Sequence, residues 1–243
     1  MKLGKIMAAL AVAASVSIGP IAQAAPSLAG GNIYSWPDIG TGMWAAVMVS
    51  FGTGAGRLKF PLTPAAEAAR AAEVKKLAGS ASCDPVGPIG IIGAGFPLKF
   101  YFTPGEIVIM SDMDALWVRH IYMDGKPHHN YGPTYEGYSV GHWEGQTLVI
   151  DTTNLSSKVN LTTGVPASAT SHLVERYTLL SPDKMRLNLT VSDPAVMTGP
   201  WSMNQGYVRH LDWEIEDTFC GEGNRDAPDA NGNEEVNLTP PTS

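Results

Sequence analysis

From Met185 to Val191 the chain alternates: Met185, Leu187, Leu189 and Val191 are apolar, with Arg186, Asn188 and Thr190 between them. A period of 2 gives a strand one dry face and one wet face. Similar runs recur from Phe96 onward, separated by turn residues. Leu98–Phe102, Thr103-Pro104-Gly105 and Glu106–Met110 read as a hairpin. Tyr138–Trp143, Glu144-Gly145 and Gln146–Thr152 read as a second, and Leu173–Leu179, Ser181-Pro182-Asp183 and Met185–Val191 as a third. Ala115–Met123 reads as a strand that stops at Asp124-Gly125, a strong turn signal. Trp201–Val208 and Leu211–Phe219 complete the set. In the last run Leu211, Trp213 and Ile215 are expected to face in, and Asp212, Glu214 and Glu216 out.

Consecutive hairpins without intervening helices predict an all-β fold built as an antiparallel meander. About eight such strands close most economically into a lipocalin-like up-and-down barrel, which leaves no exposed edges. A β-sandwich is the alternative closure. One short N-terminal helix is expected over Ala65 to about Ala78. Thr63 serves as its N-cap, Pro64 stands at its first position, Glu67 lies in its first turn, and Lys75 and Lys76 lie in its last. The remaining boundaries follow from composition. Residues 25–62 read as a flexible Gly-rich lead-in, 63–221 as a single barrel domain with its leading helix, and 222–243 as a disordered Asn-, Asp- and Pro-rich tail.

The first residues change the picture of where the protein works. Lys2 and Lys5 precede the apolar run Ile6–Ile18, and Ala22-Gln23-Ala24 offers a small-x-small cleavage site before Ala25. Residues 1–24 therefore read as a signal peptide, giving an exported, periplasmic protein without a stable membrane anchor. With 16 Lys+Arg against 23 Asp+Glu the net charge is -7, and removing Lys2 and Lys5 takes it to -9. That balance argues against nucleic acid as a partner. Cys83 and Cys220 are the only two cysteines. An oxidising compartment favours a disulfide between them, the other reading being two unrelated buried thiols. In the chain-entropy view, closing so long a loop contributes up to about 4–5 kcal/mol.

Several motifs recur in order. They are Val118-Arg119-His120-Ile121-Tyr122-Met123-Asp124-Gly125-Lys126-Pro127-His128, then Gly137-Tyr138-Ser139-Val140-Gly141-His142-Trp143-Glu144-Gly145, then Thr147-Leu148-Val149-Ile150-Asp151-Thr152. His172-Leu173-Val174-Glu175-Arg176, Asp193-Pro194 and Pro200-Trp201 follow. Together they resemble a family of exported bacterial proteins marked by D-G-[RK]-P-H and G-x-S-x-G-x-W-E-G-x-T-L-V-[VI]-D-T. The resemblance runs from about Leu62 to Glu222 and implies export. Between Asn154 and Thr170 the chain departs from the pattern, with Ala and Ser where a further Trp and His are expected.

Candidate chemistry is concentrated around the strand Ala115–Met123 and the loop that follows. Gly137-Tyr138-Ser139-Val140-Gly141 matches the G-x-S-x-G elbow of hydrolases, but a turn and a strand follow it rather than a helix, so Ser139 reads as a strand residue. His120, His128, His129 and His142 lie near Asp112, Asp114 and Asp124 without metal-ligand spacing, so no metal is assigned. Acid–base chemistry by side chains alone fits better, because His exchanges protons near neutral pH and buried Tyr or Arg needs a partner. His128 is the expected proton-transfer group, Tyr122 or Tyr135 a second donor, Arg119 the holder of a negative or carbonyl oxygen, and His142 a further candidate. Trp117, His120, Tyr131, Tyr138 and Asp112 are expected to line the ligand.

These residues predict a cofactor-independent enzyme of lyase, isomerase or hydrolase type, acting on a small apolar or aromatic molecule in a barrel cavity. The alternative is a carrier barrel that binds such a ligand without turnover.

Overall fold

The computed structural model describes residues 41–47, 60–77, 85–112, 117–125 and 132–216. Along the chain come β1 (Met43–Val47), α1 (Pro64–Leu77), α2 (Gly87–Ala94), β2 (Lys99–Thr103), β3 (Glu106–Ser111), β4 (Trp117–Tyr122) and β5 (Tyr138–Glu144). There follow β6 (Thr147–Thr153), β7 (Asn160–Thr162), β8 (Val165–Pro166), β9 (His172–Ser181), β10 (Lys184–Ser192) and β11 (Trp201–His210). Nine strands form one sheet in the order β1-β11-β10-β9-β6-β5-β4-β3-β2, and β7 pairs with β8 alone. Trp44 of β1 meets Leu98, just ahead of β2, through two backbone hydrogen bonds of 2.8 and 2.9 Å. The two ends of the sheet thus come together and the sheet is a nearly closed barrel. A sandwich would need two facing sheets, and here a single sheet encloses the core.

The alternating runs form the barrel wall as their period requires. Met185, Leu187, Leu189 and Val191 of β10 are buried against Ile107, Ile109, Ile121, Leu148 and Ile150 from the other strands. The hairpins β2–β3, β5–β6 and β9–β10 are those expected from the sequence. Helix α1 also matches: the backbone N–H of Ala66 donates to Thr63 Oγ1 at 3.2 Å, which is the N-cap bond.

Four differences carry physical lessons. First, the lead-in read as flexible contains β1, whose Met43 and Trp44 are buried and which pairs antiparallel with β11. Second, β4 and β5 are parallel, Ile121 standing beside Ser139 and Tyr122 beside Val140. Among the described strands the meander is therefore broken between β4 and β5, which cannot be joined as a hairpin. Just ahead of β5, Gly137 has φ 67°, and a Cβ there would meet the Thr153 carbonyl oxygen at 2.6 Å, so a side chain is excluded.

Third, the strand expected over Leu211–Phe219 does not form in the described part. The chain turns at Leu211-Asp212, residues 213–216 have no regular structure, and Leu211 and Trp213 are exposed rather than turned in. Trp213 instead stacks on His210, with ring centroids 4.1 Å apart. Fourth, α2 is a helix that the pattern did not predict. Its Gly and Pro content lowers helix propensity, yet Ile89, Ile91 and Ile92 are buried in the barrel core, and that burial outweighs the propensity. Gly95, at φ 76°, ends it in a left-handed cap.

Residues 1–24, the tail 222–243, Cys83 and Cys220 lie outside the described residues.

Candidate functional site

Strand register decides which polar side chains share the interior. β4 turns Trp117, Arg119 and Ile121 inward and His120 outward. The neighbouring strands add Ser111 from β3, Ser139 from β5, Thr152 from β6, Glu175 and Tyr177 from β9, and Gln205 and Tyr207 from β11, all buried. Most occupy positions where the period-2 pattern calls for apolar residues, and buried polar groups are costly unless partnered.

Arg119 is the hub. Its two terminal nitrogens donate to Glu175, Nη1 to Oε2 at 3.1 Å and Nη2 to Oε1 at 2.6 Å. Nη2 also donates to Thr152 Oγ1 at 2.6 Å and Nε to Ser139 Oγ at 3.1 Å. Ser139 and Thr152 hydroxyls are 3.0 Å apart, and Tyr177 Oη donates to Glu175 Oε2 at 2.9 Å. Burial by itself would lower the Arg119 pKa, but the Glu175 charge and hydrogen bonds outweigh it, and the guanidinium is held charged. Burial, joined by the Glu175 charge, pushes the Tyr177 and Tyr207 hydroxyls well above their usual range. The guanidinium is thus occupied by protein oxygens. It organises the interior rather than waiting for an anionic ligand.

Ser139 belongs to this network. It lies within β5, accepts from Arg119, and stands far from any strand-to-helix turn, so it does not form a nucleophile elbow. Ser139→Ala should leave any turnover largely intact while lowering stability by about 1–2 kcal/mol, measured by denaturant unfolding.

Among the described residues five buried side-chain atoms have no hydrogen-bond partner: Ser111 Oγ, Trp117 Nε1, Glu136 Oε2, Gln205 Oε1 and Tyr207 Oη. Three of them gather near the β3–β4 pair. Ser111 and Trp117 are opposite each other in register, and Glu136, on the segment entering β5, is close enough to feel both the Trp117 indole N–H and the Arg119 charge. Burial raises the Glu136 carboxyl to about 7; Arg119 and the Trp117 N–H oppose the shift and the Glu175 charge adds to it. The indole N–H is near the carboxyl without closing a well-formed bond to it. A half-buried carboxyl with one covered oxygen, pushed up to about 7 beside an indole N–H, is what acid–base chemistry needs.

The residues expected from the sequence scatter around this centre. Arg119 and Trp117 are inside. His120 and His142 are on the outer wall, His120 bonded to Glu106 at 2.6 Å and His142 to Glu144 at 3.3 Å, so neither reaches the interior. Both sit one residue from an inward position, and alternation turns them out. Tyr122 and Tyr138 are also on the outward register and stack on each other, with centroids 5.6 Å apart. Tyr135 is half-buried, with Lys158 Nζ 6.0 Å from its ring centre. Asp112 lines a separate cavity of about 460 Å³ with Met43, Pro97, Asp212, Trp213, Glu214 and Glu216. His128, His129 and Tyr131 lie outside the described residues. Among the described residues no group of three or more His, Cys, Asp or Glu is placed to hold a metal ion.

The structure adds Glu136, Glu175, Tyr177, Gln205, Tyr207 and Ser111 to the residues expected from the sequence. For Glu175, Tyr177, Gln205 and Tyr207 the sequence carries a signal, because Leu173-Val174-Glu175-Arg176-Tyr177 and Met203-Asn204-Gln205-Gly206-Tyr207 place polar groups on the dry side of an alternation.

One more buried carboxylate serves structure. Asp193 accepts from Ser168 N at 3.0 Å, Ser168 Oγ at 2.7 Å, Thr170 Oγ1 at 2.8 Å, Ser171 Oγ at 2.5 Å and Ala195 N at 3.1 Å. Burial alone would raise its pKa, but these bonds win and hold it below the usual carboxylate range. A depressed folded pKa gives stability that is present above the unfolded pKa and lost as pH falls through the folded one. Asp193→Ala should cost about 2–3 kcal/mol at pH 7, with the difference shrinking below about pH 4. Thermal melts of both proteins across pH 2–7 check this.

Compared with known protein families and with curated proteins, the chain matches none.

Proposed function

We propose that the protein is an exported acid–base enzyme acting on a small, neutral, largely apolar or aromatic molecule inside the barrel. The observation that carries this reading is Glu136: a half-buried carboxyl with an unpartnered oxygen, beside the unpartnered Trp117 N–H. It takes the proton-transfer role that the sequence suggested for His128. Neutrality of the ligand follows from charge. Among the described residues the interior cation, Arg119, is matched by Glu175, and an anion there would meet two carboxyls. The buried side chains packed around these groups are Ile, Leu, Met and aromatic, which suits a ligand with an apolar body. Lyase or isomerase chemistry needs nothing beyond such side chains.

A carrier that releases its ligand unchanged is the second reading. It is favoured by Gln205 Oε1 and Tyr207 Oη, buried polar atoms that a ligand could satisfy without reacting. Native mass spectrometry of protein taken from its own cell envelope, followed by incubation of the released molecule with parent and Glu136→Gln protein, separates the two. Consumption by the parent and not by Glu136→Gln supports the enzyme. Stoichiometric release of an unaltered ligand supports the carrier.

The Lys2–Ala24 leader supports export to the periplasm, as does the motif resemblance. N-terminal sequencing of the mature protein should begin at Ala25. No helix among the described residues is long and apolar enough to cross a membrane.

A further inference from the structure

We infer that the substrate is a carbonyl compound with an acidic C–H beside the carbonyl, and that Trp117 and Ser111 hold its oxygen while Glu136 moves the proton. The inference rests on the acid–base reading and names its substrate class.

Ser111 and Trp117 are paired residues on the inward face of β3 and β4. Side chains so placed have Cβ atoms about 4.5–5.5 Å apart, close enough to reach one ligand atom together. Trp117 Nε1 is a donor only, and the Ser111 hydroxyl can donate; among the described residues neither closes a hydrogen bond, although the indole N–H lies near the Glu136 carboxyl. Two unused donors call for an acceptor oxygen on the ligand, which disfavours an amine. The nearby Glu136 Oε2 is an unused acceptor when ionised, so the ligand must also present a proton. A carbonyl oxygen with a hydrogen on the adjacent carbon supplies both within two bonds. Arg119, held charged against Glu175, lends a positive field without claiming the oxygen for itself.

In the forward step the C–H bond breaks and its proton passes to Glu136 Oε2. The electron pair becomes the C=C bond of an enolate. The carbonyl π pair moves onto oxygen, where the Trp117 N–H and Ser111 O–H stabilise the charge. Return of the proton to the same carbon exchanges hydrogen with solvent. Return to the distal carbon of a β,γ-unsaturated ketone gives the conjugated isomer. Atoms and electrons balance with no co-reactant.

Two probes test this on the full mature protein. 2-Tetralone in D2O reports exchange at its acidic carbon by mass spectrometry, and cyclohex-3-enone reports isomerisation by the rise of conjugated-enone absorbance. The parent should exceed buffer in both. Glu136→Gln should lower the rates about 10²–10⁴-fold, and Trp117→Phe about 10²–10³-fold, with circular dichroism confirming the fold. 2-Naphthol, a stable phenol shaped like an enol, should bind the parent at least about tenfold tighter than naphthalene and lose that advantage in Trp117→Phe. A parent no faster than buffer on both ketones overturns the inference, as does a Trp117→Phe protein that matches the parent. The acid–base reading survives either result if Glu136 still titrates near 7, and fails by itself if Glu136 titrates as an ordinary carboxyl.

Discussion

At pH 8 the Glu136→Gln protein should melt above the parent, by the equivalent of about 3 kcal/mol. The carboxyl is raised from 4.5 to about 7 in the folded protein. Each pKa unit corresponds to about 1.4 kcal/mol. Because the folded pKa is the raised one, the folded state holds this proton more tightly than the unfolded chain. Stability from that source is fully present below about pH 4.5 and is lost as pH rises through 7. Gln keeps the shape and a buried amide but never ionises. Parent and variant should therefore coincide near pH 4 and diverge above pH 6, reaching about 6–12 °C in melting temperature at pH 8. A stabilised variant that has lost turnover is the usual signature of a residue kept for chemistry. Thermal melts at pH 4, 6 and 8 read the divergence. A constant offset at every pH would mean that Glu136 does not carry it.

Glu175→Ala should lower stability by about 3–5 kcal/mol, because it leaves the Arg119 guanidinium charged and buried without its carboxylate. Tyr177 Oη would lose its acceptor as well. The pair itself is not the source of net stability, since desolvating two ions offsets most of their attraction. Arg119→Met combined with Glu175→Leu should therefore recover most of the loss, and the two single variants should be strongly non-additive. Urea unfolding of the parent, Arg119→Met, Glu175→Leu and the double variant measures this directly. Additive single effects would show that the two side chains do not act as a pair.

The barrel was legible wherever the alternation ran long enough. β9, β10 and β11 emerge from the dry-wet period, and α1 from its Thr63-Pro64 start. β1, α2 and the parallel step from β4 to β5 were hidden for separate reasons, as was the short β7–β8 pair. β1 is a five-residue strand set in Gly-rich sequence, and its strand state comes from pairing with β11. α2 is masked by Gly and Pro. The parallel step from β4 to β5 depends on a crossover, which no local pattern encodes. The reverse holds beyond β11, where Leu211 and Trp213 of an alternating run stand in the open past a turn.

Strand alternation also decides where the expected site residues stand. Arg119 and Trp117 lie on the inward register of β4 among apolar residues, and His120 and His142 are each flanked by residues that face in. Reading the same period for polar residues on dry faces points instead to Glu175 and Gln205. Glu136 precedes its strand, where no period applies, and only the folded barrel shows that one of its oxygens is covered.

The most direct test of a proton-exchanging Glu136 is its own titration. Carbon-detected NMR of side-chain carboxyls, with the Glu136 signal assigned by its absence in Glu136→Gln, follows that group alone. A midpoint of about 7 is expected. A midpoint near the ordinary carboxylate value of 4.5 would contradict it.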